Sequence, residues 1–220
     1  MHYFGDESGN FHQVATNGDD IFAMALVAGD PPHPARCANH AIAKSATGEA
    51  KWSDMNAWEK ERFITCLDSL EAPIEMSYFT LSYTDVVTIP AQHRLFLDNG
   101  GIDPTVVADV LGIGYGCLLR SMNVSKDLHP ILTFDRFIGN KQSNGVITRI
   151  EEMVDLNTVR AANSRMTTGI QSADCIAGAA REDRLKGSEW LSRLRLPATD
   201  IRNSVQGRLE MFLSGKSTDP

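Results

Sequence analysis

The sequence predicts an α/β domain: a central mixed sheet that opens with an antiparallel hairpin and is flanked by helices. Three observations predict it. Two apolar runs, 2–5 and 21–29, lie on either side of the polar turn Thr16-Asn17-Gly18-Asp19-Asp20, as in a hairpin. Beyond them, strand-like and helix-like stretches alternate, which builds sheets with helices packed on them. No linker, repeat or low-complexity segment divides the 220 residues, a length that suits one domain with a sizeable core. The reading is therefore a single domain over 1–220, with 187–220 as a C-terminal helical extension.

His2-Tyr3-Phe4-Gly5 reads as a short strand leading into Asp6-Glu7-Ser8-Gly9. Residues 21–29, Ile-Phe-Ala-Met-Ala-Leu-Val-Ala-Gly, are apolar throughout, the pattern of a strand covered on both faces. Asp30-Pro31-Pro32 stops it ahead of a helix over about 33–46, and 47–53 is a connector. Asn56 suits the N-cap of a helix over about 57–71, which Pro73 ends. Residues 74–83 are rich in aromatic and β-branched types, as strands are. Asp103-Pro104 opens a helix that runs to about 121, with proline at its first position. Residues 130–135 form another strand. Apolar residues at 146, 147, 150, 153 and 154 keep a helical spacing. A short strand over 158–163 and a helix over 170–183 follow, and the tail carries Trp190, Leu191, Leu194 and Leu196 for one or two more helices.

Composition is that of a globular protein, with 42% hydrophobic and 22% charged residues. No apolar run is long enough to span a membrane, and the N-terminus lacks the pattern of a secretory signal, so a cytoplasmic protein is expected. Cys37, Cys66, Cys117 and Cys175 are scattered among apolar neighbours and read as buried free thiols. His33, Cys37 and His40 share one helix face, but no fourth zinc ligand accompanies them and a surface or packing role suits them better. Gly112, Gly114 and Gly116 sit inside a helical run rather than between a strand and a helix. They predict close helix packing, not a phosphate loop.

The chemistry lies in the acids. Asp6 and Asp135 each end an apolar strand, where α/β sheets gather functional groups. Asp174 interrupts a helix of small apolar residues, where a charge is costly unless paired or bound to a metal. Each acid alone also suits a structural role: Asp6 capping a turn, Asp135 pairing with Arg136, Asp174 pairing with Arg181. Drawn together, such acids repel, and divalent cations relieve the repulsion.

Tyr3-Phe4-Gly5-Asp6-Glu7-Ser8-Gly9 and Gly169-Ile170-Gln171-Ser172-Ala173-Asp174 resemble the two signatures of the domain of unknown function 3800 family, D-E-S/A-G early and Q-x-A-D late. Glu49-Ala50-Lys51 and the strand-end Asp135 match its mid-chain features, so the resemblance covers about residues 3 to 180. It implies a ribonuclease H-like fold and a site of Asp6, Glu49, Asp135 and Asp174 holding Mg²⁺ or Mn²⁺, with Glu7, Ser8, Lys51 and Gln171 supporting. Glu49 falls in a loop rather than on a helix, and Glu7 is its substitute if that loop points outward.

The implied activity is two-metal hydrolysis of phosphodiester bonds in DNA or RNA. The alternative is a binding or regulatory module that keeps the fold without turnover, which the net charge of −7 favours because it opposes a polyanion. Charge is uneven, −10 over 1–135 and +3 over 136–220. Arg181, Arg184, Lys186, Arg193, Arg195, Arg202 and Arg208 form a basic stretch, read either as a solvated face or as a track for nucleic-acid phosphates, with Arg181, Arg184, Arg193 and Arg195 the candidate contacts.

Overall fold

The computed structural model describes residues 1–215 except 17, 19, 43–47, 71–73, 125–128, 137–138 and 196–197, and the side chains of 42 and 139–141. Six strands form one sheet: β1 (His2–Ser8), β2 (Ile21–Gly29), β3 (Glu75–Ser82), β4 (Ile131–Asp135), β5 (Thr158–Ala162) and β6 (Ala198–Asp200). Their order is β5-β4-β1-β2-β3-β6. β1 pairs antiparallel with β2, and β2 antiparallel with β3; β1 with β4, β4 with β5 and β3 with β6 are parallel. The sheet is mixed and opens on the predicted hairpin, with Asp6 opposite Ala25.

Strand β2 is apolar throughout because both of its faces are covered. Phe22, Met24, Leu26 and Ala28 join one buried cluster, and Ala23, Ala25 and Val27 join another. The first cluster takes in α1 (Phe11–Thr16), α4 (Tyr83–Val87), α5 (Pro104–Ser121), α6 (Gly139–Met153) and α8 (Arg202–Leu213). The second takes in α2 (His33–Ile42), α3 (Ala57–Asp68) and α7 (Thr168–Lys186). Helix α7 approaches the sheet closely because its contact positions are small. A Cβ on Gly169 would lie 2.5 Å from the Phe4 ring, and one on Gly178 would lie 2.4 Å from Trp52. Gly112 and Gly116 let α5 pack on α6, against Arg149 and Met153.

Several expectations change. The stretch after β1 is not a bare turn: Phe11, Val14 and Ala15 are buried and form α1. Asn56 caps α3 as predicted, closing a capping box with Glu59, but the helix ends at Asp68 with Ser69 as its C-cap, short of the expected 71; residues 43–46 of the preceding helix lie outside the described residues. The region 187–220 does more than extend the chain with helices. Its β6 pairs with β3, and Val205, Leu209 and Leu213 of α8 are buried in the main core.

The expectation of four free thiols is corrected. Cys37 on α2 and Cys66 on α3 are joined in a disulfide across 29 positions, while Cys117 and Cys175 are free and buried. Two helices packed side by side bring the pair together, and linear spacing does not carry that information. No helix among the described residues is long and apolar enough to cross a membrane.

Candidate metal centre

Strand alternation sorts the acids. Phe4 belongs to the α7 side of the sheet and Tyr3 to the α5 side, so Asp6 follows Phe4 and Glu7 follows Tyr3. In the parallel pairing of β1 with β4, Gly5 is opposite Phe134. One step further along both strands, at their carboxyl ends, come Asp6 and Asp135. Asp174 approaches from α7.

The electrostatics tie these groups together. Burial, then the charges of Glu7, Asp174 and Asp135, holds the Asp6 carboxyl well above the usual carboxylate range. Burial, then Asp135 and Asp174, does the same to Glu7. Burial raises Asp174 to about 7, helped by Glu49 and Asp135 and opposed by the Trp52 N–H and Lys51. Glu7 Oε2 is buried without a hydrogen-bond partner among the described residues. Beneath it, Tyr115 fills space that only glycine leaves: a Cβ on Gly5 would lie 2.4 Å from the Tyr115 ring. Burial and the charges of Glu7, Asp6 and Asp135 push that phenol up.

Glu49 is only 5% exposed, so its loop does not point outward. Its Oε1 accepts a hydrogen bond from Ser164 Oγ at 2.8 Å, Arg165 Nε lies 3.5 Å from its Oε2, and Lys51 Nζ lies 4.0 Å from its Oε1. The loop is fastened to α7: Ala50 N–H donates to Gln171 Oε1 at 2.8 Å, and Trp52 N–H donates to Asp174 Oδ2 at 3.2 Å.

Ser164 opens a single 3-10 turn, Ser164–Met166. Its N–H donates to Asp135 Oδ1 at 3.0 Å. Gln171 Nε2 donates to the Ser164 carbonyl at 2.8 Å. Gln171 is therefore a brace between the Glu49 loop and this turn, with both ends of its amide on backbone. Ser8 ends β1 opposite Ala23. Gly9, at φ +88°, turns the chain where a Cβ would lie 2.3 Å from the Ile21 carbonyl and 2.9 Å from Arg181 Nε. Ser164 and Tyr115 were not singled out in the sequence; a lone Ser in a loop and a Tyr within a helical run carry no local signal of this role.

The donor set suits a hard divalent cation, which takes carboxylate oxygens. Asp6, Glu7, Glu49, Asp135 and Asp174 offer only oxygen, and an orphaned Glu7 oxygen with crowded, raised carboxyls is what such a charge would relieve. Among the described residues no three His, Cys, Asp or Glu side chains form a ready-made ligand set, so binding would have to draw the carboxylates inward.

The arginines are engaged within the fold. Arg181 donates from Nε to the Ile21 carbonyl at 2.8 Å and pairs with Asp20. Arg184 pairs with Asp85 at 2.8 Å, Arg193 with Glu61, and Arg195 with Asp68 at 3.4 Å. Asp174 does not pair with Arg181, and the Arg136 N–H donates to the Ala162 carbonyl. The basic stretch is thus interleaved with carboxylates from α3 and other elements, which the sequence order separates from it.

No protein-family model matches the chain, and no curated protein matches it. Solved structures do. One is a chain of the complex of PCNA with RNase HII from Archaeoglobus fulgidus, at 13% identity and TM-score 0.52, covering all of this chain and 90% of that one. Another is Bst-RNase HIII in complex with Mn²⁺, at 14% identity and TM-score 0.51, covering 89% of this chain and 56% of that one. With the six-stranded mixed sheet and its flanking helices, these similarities show that the chain has the ribonuclease H-like fold.

Proposed function

We propose that the protein is a divalent-metal-dependent nuclease or phosphodiesterase, with Asp6, Glu49, Asp135 and Asp174 as the metal-holding carboxylates and Glu7 joining them. The observation that carries this is that Asp6 and Asp135 end two adjacent strands, and burial with the charges of Asp135 and of Asp174 on α7 holds the Asp6 and Glu7 carboxyls above the usual range. Fold alone does not give function; support from relatives is that two solved structures of this fold are RNases H, one of them with Mn²⁺.

When bound, Mg²⁺ or Mn²⁺ supplies activation of water and neutralises charge on the leaving oxygen. The chain's own residues do the positioning. Ser164 fixes Glu49 and Asp135 at once, and Gln171 fixes Ser164. Lys51, half-exposed beside Glu49, is placed to meet a phosphate oxygen. The four acids are those that the resemblance to the domain of unknown function 3800 family implies, with Glu49 in a loop where a helix is the usual place.

A second reading, a binding module without turnover, draws on Glu49, which already holds Ser164 and stands near Arg165 and Lys51. Asp6→Asn separates the two. On the nuclease reading wild type binds Mn²⁺ by calorimetry and cleaves labelled DNA or RNA, and the variant does neither while its circular dichroism is unchanged. Equal Mn²⁺ affinity in both proteins removes the proposed centre; Mn²⁺ binding without cleavage of any nucleic acid leaves the module.

A further inference from the structure

Beside the acid cluster, a groove of about 640 Å³ runs between α2 and α3, and its lining includes Glu49 and Lys51. Phe63, Ala50 and the Cys37–Cys66 bridge line its apolar part. On its rim Trp58 is 58% exposed. Its N–H backbone group donates to Asn56 Oδ1 at 3.0 Å within the capping box that starts α3. Arg62, one turn along the helix, lies over the ring with Cζ 4.6 Å from its centroid. An indole more than half exposed therefore sits on the rim with the Arg62 guanidinium over its ring.

The rim charges are uneven in their commitments. Glu59 Oε2 accepts from the Asn56 N–H and Glu61 pairs with Arg193, both within the fold. Arg36 and His40, both exposed, have no carboxylate partner among the described residues. Lys51 Nζ stands 4.0 Å from Glu49 Oε1, at the limit of an ion pair. The groove lining thus sets an exposed indole among Arg36, Lys51 and Arg62, with the exposed carboxylate of Asp54 beside them.

We propose that this groove binds a single-stranded nucleic-acid segment, with one base stacked on Trp58 and its phosphates on Arg36, Arg62 and Lys51. Location beside Glu49 makes it the approach to the metal centre, so the proposal rests on the nuclease reading of that centre. A single strand fits where a duplex does not: a duplex keeps its bases stacked on each other and offers none to the indole. Stacking needs only the flat face of a base, so binding is tolerant of sequence.

The test uses the full chain in EDTA, so that the metal centre does not contribute. Anisotropy of labelled oligo(dT) and oligo(U) and quenching of tryptophan fluorescence are measured for wild type, Trp58→Ala and Trp58→Phe, with melting temperature as the control for folding. Wild type binds and is quenched; Trp58→Ala weakens binding about tenfold, in line with stacking on one aromatic ring, and Trp58→Phe keeps most of it. Equal affinity in wild type and Trp58→Ala, or no single-strand binding by wild type, overturns the proposal. Mn²⁺-dependent cleavage assayed in parallel keeps the two readings apart. Cleavage that is indifferent to Trp58→Ala, with no single-strand binding, removes the groove and keeps the nuclease. Trp58-dependent binding without cleavage keeps the groove as a binding site and removes the nuclease.

Discussion

Ser164 Oγ donates to Glu49 Oε1 at 2.8 Å, across 115 positions of sequence. The same residue's N–H holds Asp135, so one turn of chain orients two acids from different elements. Ser164→Ala removes the hydroxyl and leaves the N–H. We predict a loss of about 1.5–3 kcal/mol in urea denaturation, the range for a hydrogen bond to a charged group. Mn²⁺ affinity by calorimetry should fall several-fold as Glu49 loses its orientation. An unchanged affinity would show that Glu49 is not a ligand.

The raised acids make stability depend on pH. Asp174 titrates at about 7 in the fold against about 3.9 in an unfolded chain. Between those values the folded state binds more protons, so stability without metal falls as pH rises from about 4 to about 7. Asp6 and Glu7 are displaced in the same direction. Denaturation midpoints in EDTA should decline across that window, and Mn²⁺ should restore stability most at its upper end. Midpoints that are flat in EDTA would mean that the acids are not crowded in solution.

Reducing the Cys37–Cys66 bridge opens a loop whose ends are 29 positions apart. The loop-entropy relation gives about 3–4 kcal/mol for a closure of that length. Cys37→Ala with Cys66→Ala should therefore lower the denaturation free energy by about 2–4 kcal/mol and leave the strand-borne acids Asp6 and Asp135 in place. Mn²⁺ affinity close to that of wild type is expected. Its loss would show that α2 and α3 also position the acids.

Because Arg195 already faces Asp68, an acid outside the groove lining, Arg195→Glu should change single-strand affinity and its salt dependence little. The measurement is affinity over a salt series. A flattened slope would instead place Arg195 on a phosphate, as the basic composition of 136–220 suggests.

What the sequence made legible follows the range of each signal. β1, β2 and the acids that end apolar strands are local patterns, so Asp6 and Asp135 could be read directly, and Asp174 stood out because a charge inside Ala-rich helix needs a reason. Glu7 carried the same adjacency but entered as a supporting residue and a substitute for Glu49; the structure holds both beside the cluster. The Cys37–Cys66 pairing, the Ser164 turn and the engagement of the arginines are tertiary facts. Each joins segments that nothing in their own neighbourhood connects. Strand β6 was missed for a related reason: at three residues it is too short to show a period, and its place is set by β3.

The ends of the sheet have a consequence for how the molecule meets copies of itself. Its outermost strands, β5 and β6, are five and three residues long. A short border strand offers a neighbour few unpaired backbone groups, and Arg160 on β5 adds a charged side chain among them. The strands that carry the acids, β1 and β4, lie in the interior of the ladder. Their hydrogen-bonding groups face each other, β2 and β5, so lateral growth of the sheet into a fibre has little to template it at either border.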